Sequence, residues 1–118
     1  MGSSIESFFS AWGNEDSNSR SMAVAGAVTQ DCSYADPRTP SPIFGPAALS
    51  DYVALFSQAA PGAQAVVIDQ QTQQGLTRTT IAFRMADGAE HLGQYFIELN
   101  DAGLIQKMTG FVGNGNPS

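Results

Sequence analysis

The large apolar residues near the N terminus recur at helical spacing. Ile5, Phe8, Phe9 and Trp12 stand at positions i, i+3, i+4 and i+7, which places all four on one face of a helix. The pattern predicts a first helix, and rings of this size on one stripe are expected to belong to the core.

Two more helices are predicted before the middle of the chain. The polar run 14–17 offers N-cap residues for a second, alanine-rich helix over 22–29. Gly45-Pro46 is typical of a helix start, and Pro61-Gly62 ends the pattern. The apolar face of this third helix contains Leu49, Tyr52, Val53 and Phe56.

The rest of the chain indicates strands. A short extended piece over 31–37 ends at a proline, and the return segment 38–44 contains two more, so it must be an edge strand or a loop. Strands are predicted over 65–72, 77–85, 90–99 and 104–112. The fold class is therefore α+β, with one domain over 5–113 and frayed ends at 1–4 and 114–118.

The Asp87-Gly88 pair predicts a two-residue hairpin turn. That turn would pair Arg84 with His91, Ala82 with Gly93, Thr80 with Tyr95 and Arg78 with Ile97. The opposite face of the hairpin would then be apolar, containing Ile81, Phe83, Met85, Leu92 and Phe96.

Charge and composition narrow the possible partners. Eleven acidic residues against five basic ones give a net charge of -6, which argues against nucleic acid and anionic membranes as partners. The single cysteine, Cys32, excludes an intrachain disulfide. No apolar run reaches the roughly 20 residues that span a bilayer, and no signal peptide is recognisable, so a cytoplasmic location is expected.

The order of these elements, together with several short motifs, resembles a known superfamily. The segment from Asp36-Pro37 through Pro42-Ile43-Phe44-Gly45 is similar to the Asp-Pro … Pro-Ile-x-Gly segment of ketosteroid isomerases. The segment Gly103-Leu-Ile-Gln-Lys-Met108 is similar to their last strand. Over 5–113 the chain therefore resembles the nuclear transport factor two-like superfamily, in its SnoaL-like and ketosteroid isomerase-like branch.

This resemblance implies a curved, mixed sheet wrapped around three N-terminal helices, forming a cone with an apolar pocket. The implied pocket residues are Tyr34, Asp36, Tyr52, Phe56, His91, Tyr95, Ile97, Met108 and Val112. Arg84, as the cross-strand neighbour of His91, and Trp12, on the first helix, are further candidate ligand contacts. The resemblance also implies a homodimer, formed through the face that contains Ile81, Phe83, Leu92, Phe96 and Phe111.

By the same resemblance, Asp36 is the base that moves a proton next to a carbonyl group. The isomerases use two further groups as an oxyanion hole. Here the first of these positions falls near Phe8, which has no donor, and the second falls on Tyr95, which has a hydroxyl. His91 is a further catalytic candidate because histidine is the residue type best suited to proton transfer near neutral pH. Neither a cofactor nor a metal ion is expected, because the sequence offers no cluster of metal ligands.

Each candidate also has a structural interpretation. Asp36-Pro37 is a common turn start, His91 could pack beside Arg84 in water, and buried tyrosines usually bond to backbone carbonyls. Two functions therefore remain open. One is a cofactor-independent isomerase, cyclase or lyase acting on a small apolar carbonyl compound, and the other is a non-catalytic ligand-binding or dimerisation module.

Overall fold

The computed structural model describes residues 4–113, which contain three α-helices and six strands. Helix α1 spans Ser4–Ser10 and continues into a single 3-10 turn over Ala11–Gly13; α2 spans Ser17–Ala27 and α3 spans Pro46–Ala59. The strands are β1 (Val28–Ala35), β2 (Ile43–Phe44), β3 (Gln64–Gln73), β4 (Leu76–Arg84), β5 (Glu90–Leu99) and β6 (Ile105–Val112). The predicted α+β class is confirmed. The predicted fraying concerns residues outside this range, apart from Ser4, which begins α1.

Local capping sets the ends of the helices. The carboxylate of Asp16 accepts a hydrogen bond of 2.8 Å from the backbone N–H of Ser19, and α2 begins beside it. Gly45 precedes α3 with a φ of 88°, a backbone conformation that glycine adopts without steric cost. Pro46 is the first residue of the helix, where a backbone N–H would have no partner within the helix and its absence costs nothing. Strand β1 begins at Val28, three residues earlier than predicted, since Val28 and Thr29 favour extended backbone.

The six strands within 4–113 form one mixed sheet in the order β2-β1-β6-β5-β4-β3. Strand β1 runs parallel to β6, and the other neighbours are antiparallel. The helices cover one face of the sheet, and the core between them includes Ile5, Phe8, Phe9, Leu49, Ile97 and Ile105. The predicted core role of the first-helix rings is confirmed, since Phe8, Phe9 and Trp12 are at most 3% exposed.

The predicted register of the central hairpin is wrong by one residue. Gly88 has a φ of 93° and donates its N–H to the carbonyl of Met85, while the N–H of Met85 bonds to Ala89. The connection is therefore a three-residue loop with a glycine in the left-handed region, not a two-residue turn. His91 pairs with Phe83, and Tyr95 pairs with Thr79.

A shift of one residue turns every β4 side chain to the opposite face. Ile81 is fully buried, and Phe83 packs on the ring of Trp12 at a centroid distance of 5.7 Å, so neither belongs to the outer face where a dimer contact was predicted. Arg84 lies outside instead and forms an exposed ion pair of 2.9 Å with Glu90. It is therefore not a pocket residue.

Candidate functional site

A cavity of about 560 Å³ lies between the C-terminal half of α3, the turn after β1 and the adjoining parts of β5 and β6. Its volume suits a small organic ligand. A smaller groove of about 340 Å³ between α1 and β3 has no aromatic lining residue. The larger cavity combines apolar walls with a carboxylate, and this combination makes it the candidate functional site.

Aromatic rings form much of the cavity wall. Trp12 stands 5.0 Å from Phe56 and 6.1 Å from Tyr52, measured between ring centroids, and Phe56 stands 5.8 Å from Phe83. The indole Nε1 of Trp12 is buried and has no hydrogen-bond partner among residues 4–113, so ring packing alone holds this side chain. Such a wall of packed rings favours an apolar ligand.

Asp36 stands at the polar end of the cavity, directly after β1. Its Oδ1 accepts a hydrogen bond of 2.8 Å from the backbone N–H of Arg38, and its carbonyl accepts one of 3.1 Å from the backbone N–H of Thr39. Pro37, at the second position of this turn, supplies the φ that the turn needs. Asp36 thus forms a turn, as its structural interpretation predicted, while its other oxygen points to the tyrosines.

Two tyrosine hydroxyls bind the Oδ2 atom of Asp36. Tyr34 donates a hydrogen bond of 2.7 Å and Tyr52 one of 2.6 Å. The hydroxyl of Tyr34 also lies 2.8 Å from that of Tyr95. Because the single proton of Tyr34 is engaged with Asp36, Tyr95 must donate to Tyr34. All three phenolic protons are therefore committed to one network that ends on the carboxylate.

Burial raises the pKa of all three tyrosines above the ordinary value of 10.0. For Tyr34 and Tyr52, the hydrogen bond and the negative charge of Asp36 raise the pKa further. The hydroxyls consequently remain protonated at neutral pH and act on Asp36 as neutral donors.

Gly110 on β6 allows the ring of Tyr95 to occupy its position. A Cβ atom built on Gly110 would stand 2.6 Å from Cε2 of Tyr95 and 2.9 Å from its Cζ. These distances are shorter than van der Waals contact, so any larger residue would displace the ring. The close approach of β6 thus fixes Tyr95 against Tyr34.

The structure brings most of the sequence-predicted site residues to this cavity. Those that line it are Asp36, Tyr95, His91, Tyr52, Phe56, Val112 and Trp12. Tyr34 is fully buried behind Asp36 and reaches the cavity only through its hydrogen bond. Ile97 and Met108 belong to the core, at 0% and 1% exposure.

Sequence reasoning missed two groups of the site. Phe83 was placed outside by the wrong hairpin register, although it lines the cavity. Arg38 was treated only as part of a loop, yet its position right after Asp36-Pro37 puts it on the cavity rim. The turn start predicted at Asp36-Pro37 was the available signal, because a turn there brings Arg38 to the same rim as Asp36.

Among residues 4–113 there is no group of three His, Cys, Asp or Glu side chains that could hold a metal ion. In the same part of the chain, no helix is long and apolar enough to cross a membrane.

Comparison with solved structures identifies the fold. A provisionally assigned isomerase of the SnoaL-like family from Agrobacterium tumefaciens superposes with a TM-score of 0.84 and 23% identity, over 94% of this chain and 95% of that one. A provisionally assigned polyketide cyclase from Sinorhizobium meliloti gives a TM-score of 0.66 and 17% identity, over 93% and 94% of the two chains. A provisionally assigned ketosteroid isomerase from Kribbella flavida gives 0.69 and 18%, over 98% and 78%.

No protein-family model and no curated protein sequence matches the chain. The similarity to solved structures therefore establishes the nuclear transport factor two-like fold, as the sequence predicted.

Proposed function

We propose that this protein is a cofactor-independent enzyme that moves a proton next to a carbonyl group of a small apolar ligand, with Asp36 as the general base. Isomerisation, cyclisation and elimination of such ligands all begin with this step. The observation that carries the proposal is a carboxylate at the polar end of a largely apolar cavity. Similar structures that are provisionally assigned as an isomerase and a cyclase support the same chemistry.

The hydrogen bonds of Asp36 are compatible with this role. A carboxylate offers about four lone-pair sites; Oδ2 uses two of them on tyrosines and Oδ1 uses one on the Arg38 N–H. One acceptor site on Oδ1 is therefore left for a proton from a ligand. The two tyrosines fix the orientation of the carboxylate, and such positioning is a large part of the efficiency of a general base.

The role of Tyr95 differs from a simple oxyanion donor. Its proton is directed at Tyr34 in the ligand-free protein, so Tyr95 can donate to a ligand oxygen only after it leaves Tyr34. His91, an exposed residue of the cavity lining, is a second candidate for proton transfer.

Proton abstraction can be tested without knowledge of the natural reaction. Small cyclic ketones in heavy water should gain deuterium at the carbon next to the carbonyl, as followed by NMR. Asp36→Asn should slow this exchange by about 10² to 10⁴-fold, the usual contribution of general base catalysis. Asp31→Asn, an exposed substitution on β1 shortly before Asp36, is the matched control and should leave the exchange unchanged. Equal rates for the wild type and Asp36→Asn would disprove the proposal.

A binding module is the second candidate, and one observation favours it. Asp36 holds the 36–39 turn and joins the three tyrosines into one network, which is a sufficient structural role by itself. In that case Asp36→Asn would lower the free energy of unfolding, and no deuterium would enter any ketone even with the wild type.

We also propose a homodimer, through the outer sheet face as corrected by the observed register. Phe96 and Phe111 contact each other at 5.8 Å between ring centroids and remain 39% and 54% exposed. Exposed rings in contact are typical of association surfaces. Leu92 belongs to the same predicted face, whereas Ile81 and Phe83, which were also predicted there, lie on the other face of the sheet.

A further inference from the structure

The hydrogen-bond donors around the cavity differ in whether they already have an acceptor within the protein. The protons of Tyr34, Tyr52 and Tyr95 all lie within the network that ends on Asp36. The indole N–H of Trp12 is buried. The polar end of the cavity therefore presents acceptors to a ligand, and a donor for a ligand oxygen must come from the rim.

His91 also lines the cavity, but Arg38 is the rim residue whose free donors form a planar fork. Its backbone N–H is bound to Asp36, but its guanidinium forms no hydrogen bond and no ion pair with any of residues 4–113. Of the residues that line the cavity it is the one lysine or arginine, in a chain of net charge -6. Its charge lowers the pKa of Tyr52 and Tyr95, against the larger effect of burial, so the guanidinium lies within electrostatic reach of both hydroxyls.

The turn fixes the backbone of Arg38 at the rim of the cavity. Pro37 restricts the backbone before Arg38, and the hydrogen bonds from the N–H groups of Arg38 and Thr39 close the turn on Asp36. An unpaired guanidinium at the rim of a largely apolar cavity matches a planar, anionic group, because its fork of N–H donors can bind both oxygens of a carboxylate.

We infer that Arg38 binds a carboxylate group of the ligand, so that this cavity selects apolar compounds that bear an acid. The inference rests on the cavity being the ligand site of the proposed function. The carboxylate would lie at the rim, on the side of the guanidinium away from Asp36, and the apolar body would fill the space between Trp12 and Phe56. The like charge of Asp36 opposes this binding and limits how deeply the acid can enter.

Binding can be measured without turnover. Trp12 is the single tryptophan of the chain and lines the cavity, so its fluorescence reports occupancy. The probes are adamantane carboxylate and its neutral counterpart, adamantane carboxamide. Both have a compact apolar body, neither absorbs where tryptophan is excited, and neither has a hydrogen on the carbon next to its carbonyl. Base catalysis by Asp36 therefore cannot affect the result.

The carboxylate should bind at least about tenfold more tightly than the carboxamide, the effect of one charge-assisted contact. Arg38→Gln should abolish this preference and leave the affinity for the carboxamide unchanged, because the turn uses only backbone atoms of Arg38. Arg84→Gln, which removes an arginine from the outer face, should leave the preference for the carboxylate unchanged. Asp36→Asn should strengthen binding of the carboxylate.

Three results would overturn the inference: equal affinity for the two probes, a preference that persists in Arg38→Gln, or no binding of either probe up to its solubility limit. These results are independent of the deuterium exchange of ketones. Exchange without a charge preference would disprove the role of Arg38 alone, and a charge preference without exchange would disprove catalysis alone.

Discussion

Replacement of Tyr34 by phenylalanine tests the hydrogen-bond network most directly. The substitution removes one oxygen atom and keeps the buried ring, which contacts Phe8 and Trp12 at centroid distances of 6.2 and 6.3 Å. Any loss of stability therefore reports the hydroxyl and not the packing.

Tyr34→Phe should lower the free energy of unfolding for two reasons, and the two losses add. Asp36 loses a 2.7 Å hydrogen bond, and a bond to a charged group contributes about 1.5 to 3 kcal/mol. Tyr95, at 3% exposure, loses the acceptor of its proton, and a buried donor without a partner costs about 1 to 3 kcal/mol. Since Asp36 is partly exposed and water in the cavity can replace some of these bonds, we expect a total loss of about 2 to 4 kcal/mol.

Tyr52→Phe is the matched control. It also removes one hydrogen bond to Asp36, but Tyr52 is only partly buried and leaves no second hydroxyl without a partner. Its expected cost is about 1 to 2 kcal/mol, because water can replace part of this bond at a partly buried hydroxyl. Urea unfolding followed by circular dichroism measures both values, provided that the slope with urea is unchanged.

The double variant Tyr34→Phe/Tyr95→Phe sharpens this comparison. Removing both hydroxyls leaves no donor without an acceptor, so the double variant should be less destabilised than the sum of the two single variants. If Tyr34→Phe costs no more than Tyr52→Phe, or if the two single effects simply add, then Tyr95 does not depend on Tyr34 and the proposed direction of the hydrogen bonds is wrong.

Three further outcomes are expected. The chain's three tyrosines all have a pKa raised by burial. The free energy of unfolding should therefore stay level up to about pH 10 and fall above it, because only the unfolded state loses phenolic protons there. Ultraviolet absorbance of tyrosinate that develops at pH 10 in the folded protein would contradict this. Gly110→Ala should cost about 1 to 3 kcal/mol by overpacking against Tyr95, as measured by urea unfolding, and a loss below 0.5 kcal/mol would show that the ring moves away freely. Sedimentation at micromolar concentration should show a dimer that Phe96→Ser/Phe111→Ser converts to a monomer, whereas a wild-type monomer would rule out association through this face.

The sequence by itself determined the order and type of the elements. The spacing of Ile5, Phe8 and Phe9, the Gly45-Pro46 helix start and the β-rich second half each depend on short-range rules of helix periodicity, capping and strand propensity. These rules act within a few residues, so the α+β class could be predicted before any contact was known, whereas the fold itself was predicted from the resemblance to a known superfamily. Asp36 was found through that resemblance, since its Asp-Pro pair taken alone predicts only the start of a turn.

Only the tertiary structure decided how these elements face one another. The hairpin register depended on whether Gly88 closes a two- or a three-residue loop, and Asp87-Gly88 fits both. This difference of one residue in register places Phe83 in the cavity and Arg84 outside it. The convergence of the three tyrosines on Asp36 was likewise invisible, because Tyr95 is 61 positions from Tyr34 and their hydroxyls meet only when β1 and β5 lie on either side of β6. Local patterns specify elements, whereas long-range pairing specifies which side chains share a cavity.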